Sequence, residues 1–66
     1  MNWIKKNDQI INLELVSEVY KHFDGKHYIK FKLSDSITSL YFKDKESRDI
    51  KFEEIQTLLK PFLLDI

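Results

Sequence analysis

The sequence contains no cysteine and only one glycine and one proline. Without cysteine the chain can form no disulfide, and two histidines, His22 and His27, are the only soft metal ligands that remain. Structural zinc sites need a closed set of four ligands, so we expect no metal site. A chain of 66 residues is close to the lower limit at which a domain folds alone. Dense packing or a partner must therefore provide the stability that disulfides or metals provide in other small domains.

An excess of charge of one sign and long apolar runs are also absent. The 11 basic and 11 acidic side chains balance, whereas nucleic-acid-binding domains are usually basic. No apolar run exceeds four residues, far below the ~20 that cross a bilayer. Residues 1–6 contain no apolar segment with a cleavage site. We therefore expect no signal peptide, no membrane partner and a cytoplasmic location.

Catalytic patterns are missing as well. No serine has a histidine spaced to activate it, and a single glycine cannot build a glycine-rich phosphate loop. Glu53 and Glu54 are adjacent on a predicted helix, so their side chains diverge by about 100° and do not form an acid–base pair. We expect no enzyme and no cofactor.

The turn-forming residues divide the first part of the chain into strands. Asp24-Gly25 separates residues 18–23 from residues 26–33, two segments rich in β-branched and aromatic side chains, and this pattern predicts a hairpin. Residues 34–36 predict the next turn, before a strand over 37–43. Asn7-Asp8 is a further turn candidate, and Asn12 is positioned to cap a bend over residues 13–15.

After residue 43 the apolar period becomes helical. The apolar stripe consists of Phe52, Ile55, Leu58, Leu59, Phe62 and Leu63. The N-cap candidates are Asp44, Ser47 and Asp49, and Pro61 predicts that the helix ends near Leu59 or kinks there. The fold prediction is one α+β domain over residues 1–66. It has a four-stranded antiparallel β-meander (1–43) packed in two layers on one C-terminal α-helix with an apolar tail (44–66).

Strand alternation predicts which face of the sheet each side chain occupies. The predicted core positions of the sheet are Ile4, Ile11, Leu13, Val19, Phe23, Ile29, Phe31, Leu33, Leu40 and Phe42. The opposite face, called the tyrosine–lysine face below, consists of Tyr20, His22, Tyr28, Lys30, Lys32, Tyr41 and Lys43. Aromatic rings interleaved with lysines suit the bases and phosphates of single-stranded nucleic acid, but the same residues are common on solvated sheet faces and at dimer interfaces. Residues 1–45 contain eight lysines against six acidic residues, so this part of the chain is the more basic.

Large apolar side chains near both ends of the sequence must either fold back on the core or contact a partner. The candidate dimer contacts are Trp3, Phe62, Leu63, Leu64 and Ile66. We therefore predict a protein-interaction module that acts as a homodimer. One alternative is single-stranded nucleic-acid binding through the tyrosine–lysine face. Another is a phage- or plasmid-type inhibitor that docks on a host protein, which the small size and the neutral charge of the chain permit. A lysine-, isoleucine- and asparagine-rich composition with one arginine is typical of AT-rich bacterial or phage genomes.

Overall fold

The computed structural model describes residues 3–64, which form five antiparallel strands and one α-helix. Strands β1 (Trp3–Lys6) and β2 (Gln9–Asn12) form a two-stranded sheet. Strands β3 (Val16–Phe23), β4 (His27–Leu33) and β5 (Ile37–Phe42) form a three-stranded sheet in the order β3-β4-β5. Helix α1 (Lys45–Leu59) follows. The predicted α+β class is confirmed, but the four-stranded meander is wrong.

Two asparagines account for the separation into two sheets. Asn7 adopts a left-handed conformation with φ of 55°, which asparagine tolerates better than most residues, and it closes a tight hairpin between β1 and β2. The Asn12 side chain accepts a hydrogen bond of 3.0 Å from the backbone N–H of Glu14. This contact begins a 3-10 turn at Leu13–Leu15 that redirects the chain before β3, so β1 and β2 form a sheet of their own.

The predicted hairpin at Asp24-Gly25 is confirmed. Gly25 has a φ of 72°, and the backbone N–H of Asp24 donates to the carbonyl of Lys26 at 3.1 Å. Phe23 and His27 form the last pair before this loop. The next predicted turn is also present, because the N–H of Leu33 donates to the carbonyl of Ser36 at 2.8 Å.

Helix α1 begins after Asp44, one of the three predicted N-cap residues, and ends at Leu59, as Pro61 predicts. The Asp44 carboxylate accepts a hydrogen bond of 2.7 Å from the backbone N–H of Ser47, which selects Asp44 among the three N-cap candidates. The same hydrogen bond lowers the pKa of Asp44. Because Pro61 has no N–H to donate, regular helix stops at Leu59 and a 3-10 turn at Lys60–Phe62 follows.

The hairpin β1–β2 and helix α1 pack against the same face of the three-stranded sheet. Ile29 of β4 pairs with Leu40 of β5, so both side chains point to the same face of the sheet. Phe31 lies two residues after Ile29 on β4 and therefore points to that face as well. These three side chains are buried together with Ile55 from the helix and with apolar side chains of the hairpin and of the turn after it. The buried cluster consists of Ile11, Leu13, Ile29, Phe31, Leu40 and Ile55.

Two parts of the predicted core are corrected by the structure. Phe23 occupies the predicted face but is exposed, because it lies in the last pair before the Asp24-Gly25 loop and the buried cluster does not reach that end of the sheet. In the predicted helical stripe, Ile55 is buried, whereas Leu58 and the two residues beyond the helix, Phe62 and Leu63, are exposed. Leu58 lies outside the buried side of the helix, which follows positions 48, 52, 55 and 59. Beyond Leu59 the 3-10 turn changes the spacing of the side chains, so Phe62 and Leu63 do not continue the stripe onto the core.

Candidate binding surfaces

The three-stranded sheet places the predicted side chains of the tyrosine–lysine face side by side. Tyr20 of β3 pairs with Lys30 of β4, and His22 pairs with Tyr28. Tyr28 in turn pairs with Tyr41 of β5. Residues that pair directly point to the same face of a sheet, so these five side chains form two neighbouring rows across it.

The aromatic rings of the tyrosine–lysine face contact each other. Tyr28 is the centre of the group, with its ring centroid 5.1 Å from the His22 ring and 5.1 Å from the Tyr41 ring. The Tyr20 ring meets the His22 ring edge-on at 6.3 Å. Tyr28 is only 8% exposed because its neighbours cover it, whereas His22 and Tyr41 are exposed. The rings available for stacking are therefore the two that flank Tyr28.

Lysine ammonium groups lie over these rings. The Nζ atom of Lys30 is 5.9 Å from the centroid of the Tyr20 ring and 5.7 Å from that of Tyr28. Lys26 places its Nζ 5.8 Å from the centroid of the Tyr41 ring. Lys26 was not among the residues predicted for this face, although the two-residue step that connects 28, 30 and 32 also reaches 26.

Two predicted lysines are not part of these ring contacts. Lys32 is exposed on β4 and pairs with Glu18, the one acidic residue among the strand positions of this face. Lys43 follows the last residue of β5, and Phe42 is the last residue of that strand to pair with β4. The structure therefore groups six of the seven predicted residues on the paired strands and leaves Lys43 beyond them.

A cluster of charged side chains joins α1 to β3 on the other side of the sheet. The buried guanidinium of Arg48 donates to the carbonyl of His22 at 3.1 Å and to the Asp49 carboxylate at 3.0 Å. Asp49 also accepts a 2.7 Å hydrogen bond from Lys45 and lies 3.6 Å from the ammonium of Lys21. The hydrogen bond from Lys45, with those from Arg48 and the charge of Lys21, lowers the pKa of Asp49 to about 2. This cluster fixes the first turns of the helix against the edge strand.

A groove of about 450 Å³ lies between β3 and the C-terminal half of α1. We call it the strand–helix groove. Its apolar lining consists of Val16, Val19, Phe52, Ile55, Leu59, Phe62 and Leu63. Ser17, Glu18 and Gln56 are its polar lining residues. A second depression lies beyond Gln56 and Leu63, where Lys60 and Leu64 are among the lining residues.

The predicted dimer contacts fall on two separate surfaces. Phe62 and Leu63 line the strand–helix groove, and Leu64 lies beside it. Trp3 lines a different depression, next to Ile10 and Leu15. Phe62 is 79% exposed and Leu64 is 86% exposed, so these side chains are not folded back on the core. Ile66 lies outside the described residues.

The two histidines lie on opposite faces of the sheet. His22 pairs with Tyr28, and His27 pairs with Phe23, one position further along. The Nδ1 atom of His27 is buried without a hydrogen-bond partner among residues 3–64. The centroid of the His27 ring lies 4.6 Å from that of the Phe23 ring. Within the described range, no three metal-ligating side chains of the His, Cys, Asp or Glu type come together. No helix in that range has the length and apolar character required to cross a bilayer.

Comparisons of this chain with protein-family models, with curated proteins and with solved structures give no match.

Proposed function

We propose that this protein is an interaction module that acts by binding rather than by catalysis, and that it self-associates through the strand–helix groove. The observation that carries the proposal is the exposure of Phe62 and Leu64 beside this groove. Large apolar side chains that are concentrated on one surface are typical of protein interfaces.

The strand–helix groove has both halves of a self-complementary contact. Its floor is concave and apolar, with Val19 and Phe52 partly buried and Ile55 fully buried. Phe62 on its wall, and Leu64 just outside it, are the protruding side chains. In a two-fold symmetric dimer the same patch is used twice, so the protruding residues of one copy fill the groove of the other.

The small core is a further reason for association. Among residues 3–64, the buried cluster contains six hydrophobic side chains, and a domain of this size gains little stability from so small a core. Covering Phe62 and Leu64 on association removes additional apolar surface from water. Each large apolar side chain that becomes fully buried contributes about 1.5–3 kcal/mol before the entropic cost of association.

Sedimentation equilibrium over a wide range of protein concentrations tests this proposal. We expect the mass of a dimer, unchanged between about 50 mM and about 500 mM salt, because apolar contacts are not screened. The double variant Phe62→Ala/Leu64→Ala is expected to have the mass of a monomer and an unchanged circular dichroism spectrum. A monomeric wild type at millimolar concentration contradicts the proposal.

A matched double variant identifies the surface. Ile10→Ala/Leu15→Ala removes two exposed apolar side chains from the depression that Trp3 lines, and we expect it to remain a dimer. If this variant dissociates and the Phe62→Ala/Leu64→Ala variant does not, the interface lies at the Trp3 depression. Dissociation by Tyr41→Ala alone places the interface on the tyrosine–lysine face. Either result overturns the assignment to the strand–helix groove.

A further inference from the structure

Within residues 3–64, the tyrosine–lysine face is the side of the three-stranded sheet on which no other element packs. Hairpin β1–β2 and helix α1 both pack on the opposite face, where Ile29, Phe31 and Leu40 are buried. The tyrosine–lysine face is therefore separate from the core. It is also separate from the apolar floor of the strand–helix groove, which lies on the helix side.

The rings on this face are arranged for stacking. His22 and Tyr41 flank Tyr28 at equal centroid distances of 5.1 Å, and the packing around Tyr28 holds it in place. The two exposed rings offer flat surfaces at either side of a fixed one. A planar base can stack on each of them without base-specific hydrogen bonds.

Two of the cations on this face, Lys26 and Lys30, lie close to the same rings. Lys26 is next to Tyr41, Lys30 lies over Tyr20 and Tyr28, and Lys32 follows two residues further along β4. A nucleotide stacked on one of these rings therefore has an ammonium group within reach of its phosphate. The neutral total charge conceals this arrangement, because residues 46–66 contain five acidic against three basic residues.

We propose that the tyrosine–lysine face binds single-stranded nucleic acid, with bases stacked on His22 and Tyr41 and with Lys26, Lys30 and Lys32 at the phosphates. An acidic peptide would use the lysines but not the flat rings. A duplex would offer phosphates, but its bases are already stacked within the helix. An unpaired strand is the polyanion that uses both features.

Fluorescence anisotropy with a labelled oligothymidylate about 12 nucleotides long tests the proposal. Three phosphate contacts predict a slope of about −2 for the logarithm of the association constant against the logarithm of salt concentration. The affinity then falls about 16-fold between about 50 mM and about 200 mM salt. Lys32→Gln is expected to reduce the magnitude of this slope by about 0.7. The matched control Lys5→Gln removes the same charge from β1 and is expected to leave the slope unchanged.

Tyr41→Ala tests the stacking part of the proposal. We expect at least about fivefold weaker binding, since one base loses its stacking surface. Phe23→Ala is the matched control, because Phe23 is equally exposed (59% against 55% for Tyr41) but lies on the opposite face of the sheet. This control is expected to bind like the wild type, and circular dichroism verifies that both variants are folded.

Three results would overturn the proposal. The first is that the anisotropy of the labelled oligothymidylate does not change at about 50 mM salt when the protein is added up to millimolar concentration. The second is equal affinity for the oligothymidylate, for a duplex of the same length and for poly-glutamate, which would indicate charge attraction alone. The third is a folded Tyr41→Ala variant that binds like the wild type. The proposal does not depend on self-association, so we expect the Phe62→Ala/Leu64→Ala variant to retain binding.

Discussion

Replacing Ile55 with alanine tests how the helix is held on the sheet. Ile55 is 1% exposed and belongs to the buried cluster, so the substitution removes three buried carbon atoms. Their transfer to water costs about 2.4 kcal/mol, and the remaining cavity raises the total to about 3 kcal/mol. A domain of this length has a free energy of unfolding of about 3–10 kcal/mol. Ile55→Ala is therefore expected to remove between a third and all of the stability.

Ile50 provides a matched control on the same helix. It is 57% exposed, so Ile50→Ala deletes the same atoms where they are largely hydrated. Because Ile50 is partly buried, its truncation lowers the free energy of unfolding by about 1 kcal/mol, and the higher helix propensity of alanine offsets about half of this loss. The expected net cost is below about 0.7 kcal/mol.

Urea unfolding followed by circular dichroism measures both variants. With a slope of about 1 kcal/mol per molar urea, Ile55→Ala lowers the midpoint by about 3 M and Ile50→Ala by less than about 0.7 M. All proteins are compared at one concentration, since association with a second copy also stabilises the folded state. Equal losses in the two variants would refute the assignment of Ile55 as the contact that holds the helix.

Three further predictions concern single positions. Gly25→Ala is expected to destabilise the protein by about 1 kcal/mol, because the backbone φ at this position is 72°. The cost comes from the backbone conformation alone, since no atom lies within 4 Å of the added Cβ. An unchanged urea midpoint would show that this loop does not need a residue in the left-handed conformation. Asp44→Ala removes the N-cap and is expected to lower the free energy of unfolding by about 1 kcal/mol. Asp44→Asn keeps a side-chain oxygen that can accept the same hydrogen bond, so its loss of stability is expected to be smaller. Equal losses of stability in the two variants would contradict the capping role. Asp49, with its pKa near 2 against about 3.9 in the unfolded chain, stabilises the fold above pH 4 and loses this contribution as the pH falls towards 2. Urea midpoints between pH 5 and pH 2 should therefore decline more steeply for the wild type than for Asp49→Asn, and parallel declines would contradict the role of this carboxylate.

The tyrosine–lysine face could be predicted from the sequence because one hairpin determines it. Gly25 indicated the loop between β3 and β4, and strict alternation then assigned Tyr20, Tyr28 and Lys30 to one face. Alternation does not show how far helix α1 and hairpin β1–β2 extend over the core face of the sheet. Phe23 was therefore assigned to the correct face but wrongly expected to be buried.

The separation into two sheets could not be predicted from hydrophobic pattern alone. Both a continuous meander and two sheets bury Ile11 and Leu13. A single hydrogen bond from the N–H of Glu14 to the side chain of Asn12 begins the turn that separates β2 from β3. The turn over residues 13–15 could be predicted from Asn12, but its effect on strand pairing could not.

Arg48 was missed although the sequence contains a signal for it. The buried side of the helix follows positions 48, 52, 55 and 59, and extending the stripe back from Phe52 by four residues reaches Arg48. An arginine at an apolar position of a stripe indicates a buried charge that needs partners. Here the partners are the His22 carbonyl and the Asp49 carboxylate.

The most direct test of self-association through the strand–helix groove is an isotope-filtered nuclear Overhauser experiment on mixed labelled and unlabelled protein. Only contacts between two copies give signals in this experiment. We expect cross-peaks from the Phe62 ring of one copy to the methyl groups of Val19 and Leu59 of the other. Signals that arise only from Trp3 or Tyr41, or no intermolecular signal at millimolar concentration, would contradict the account.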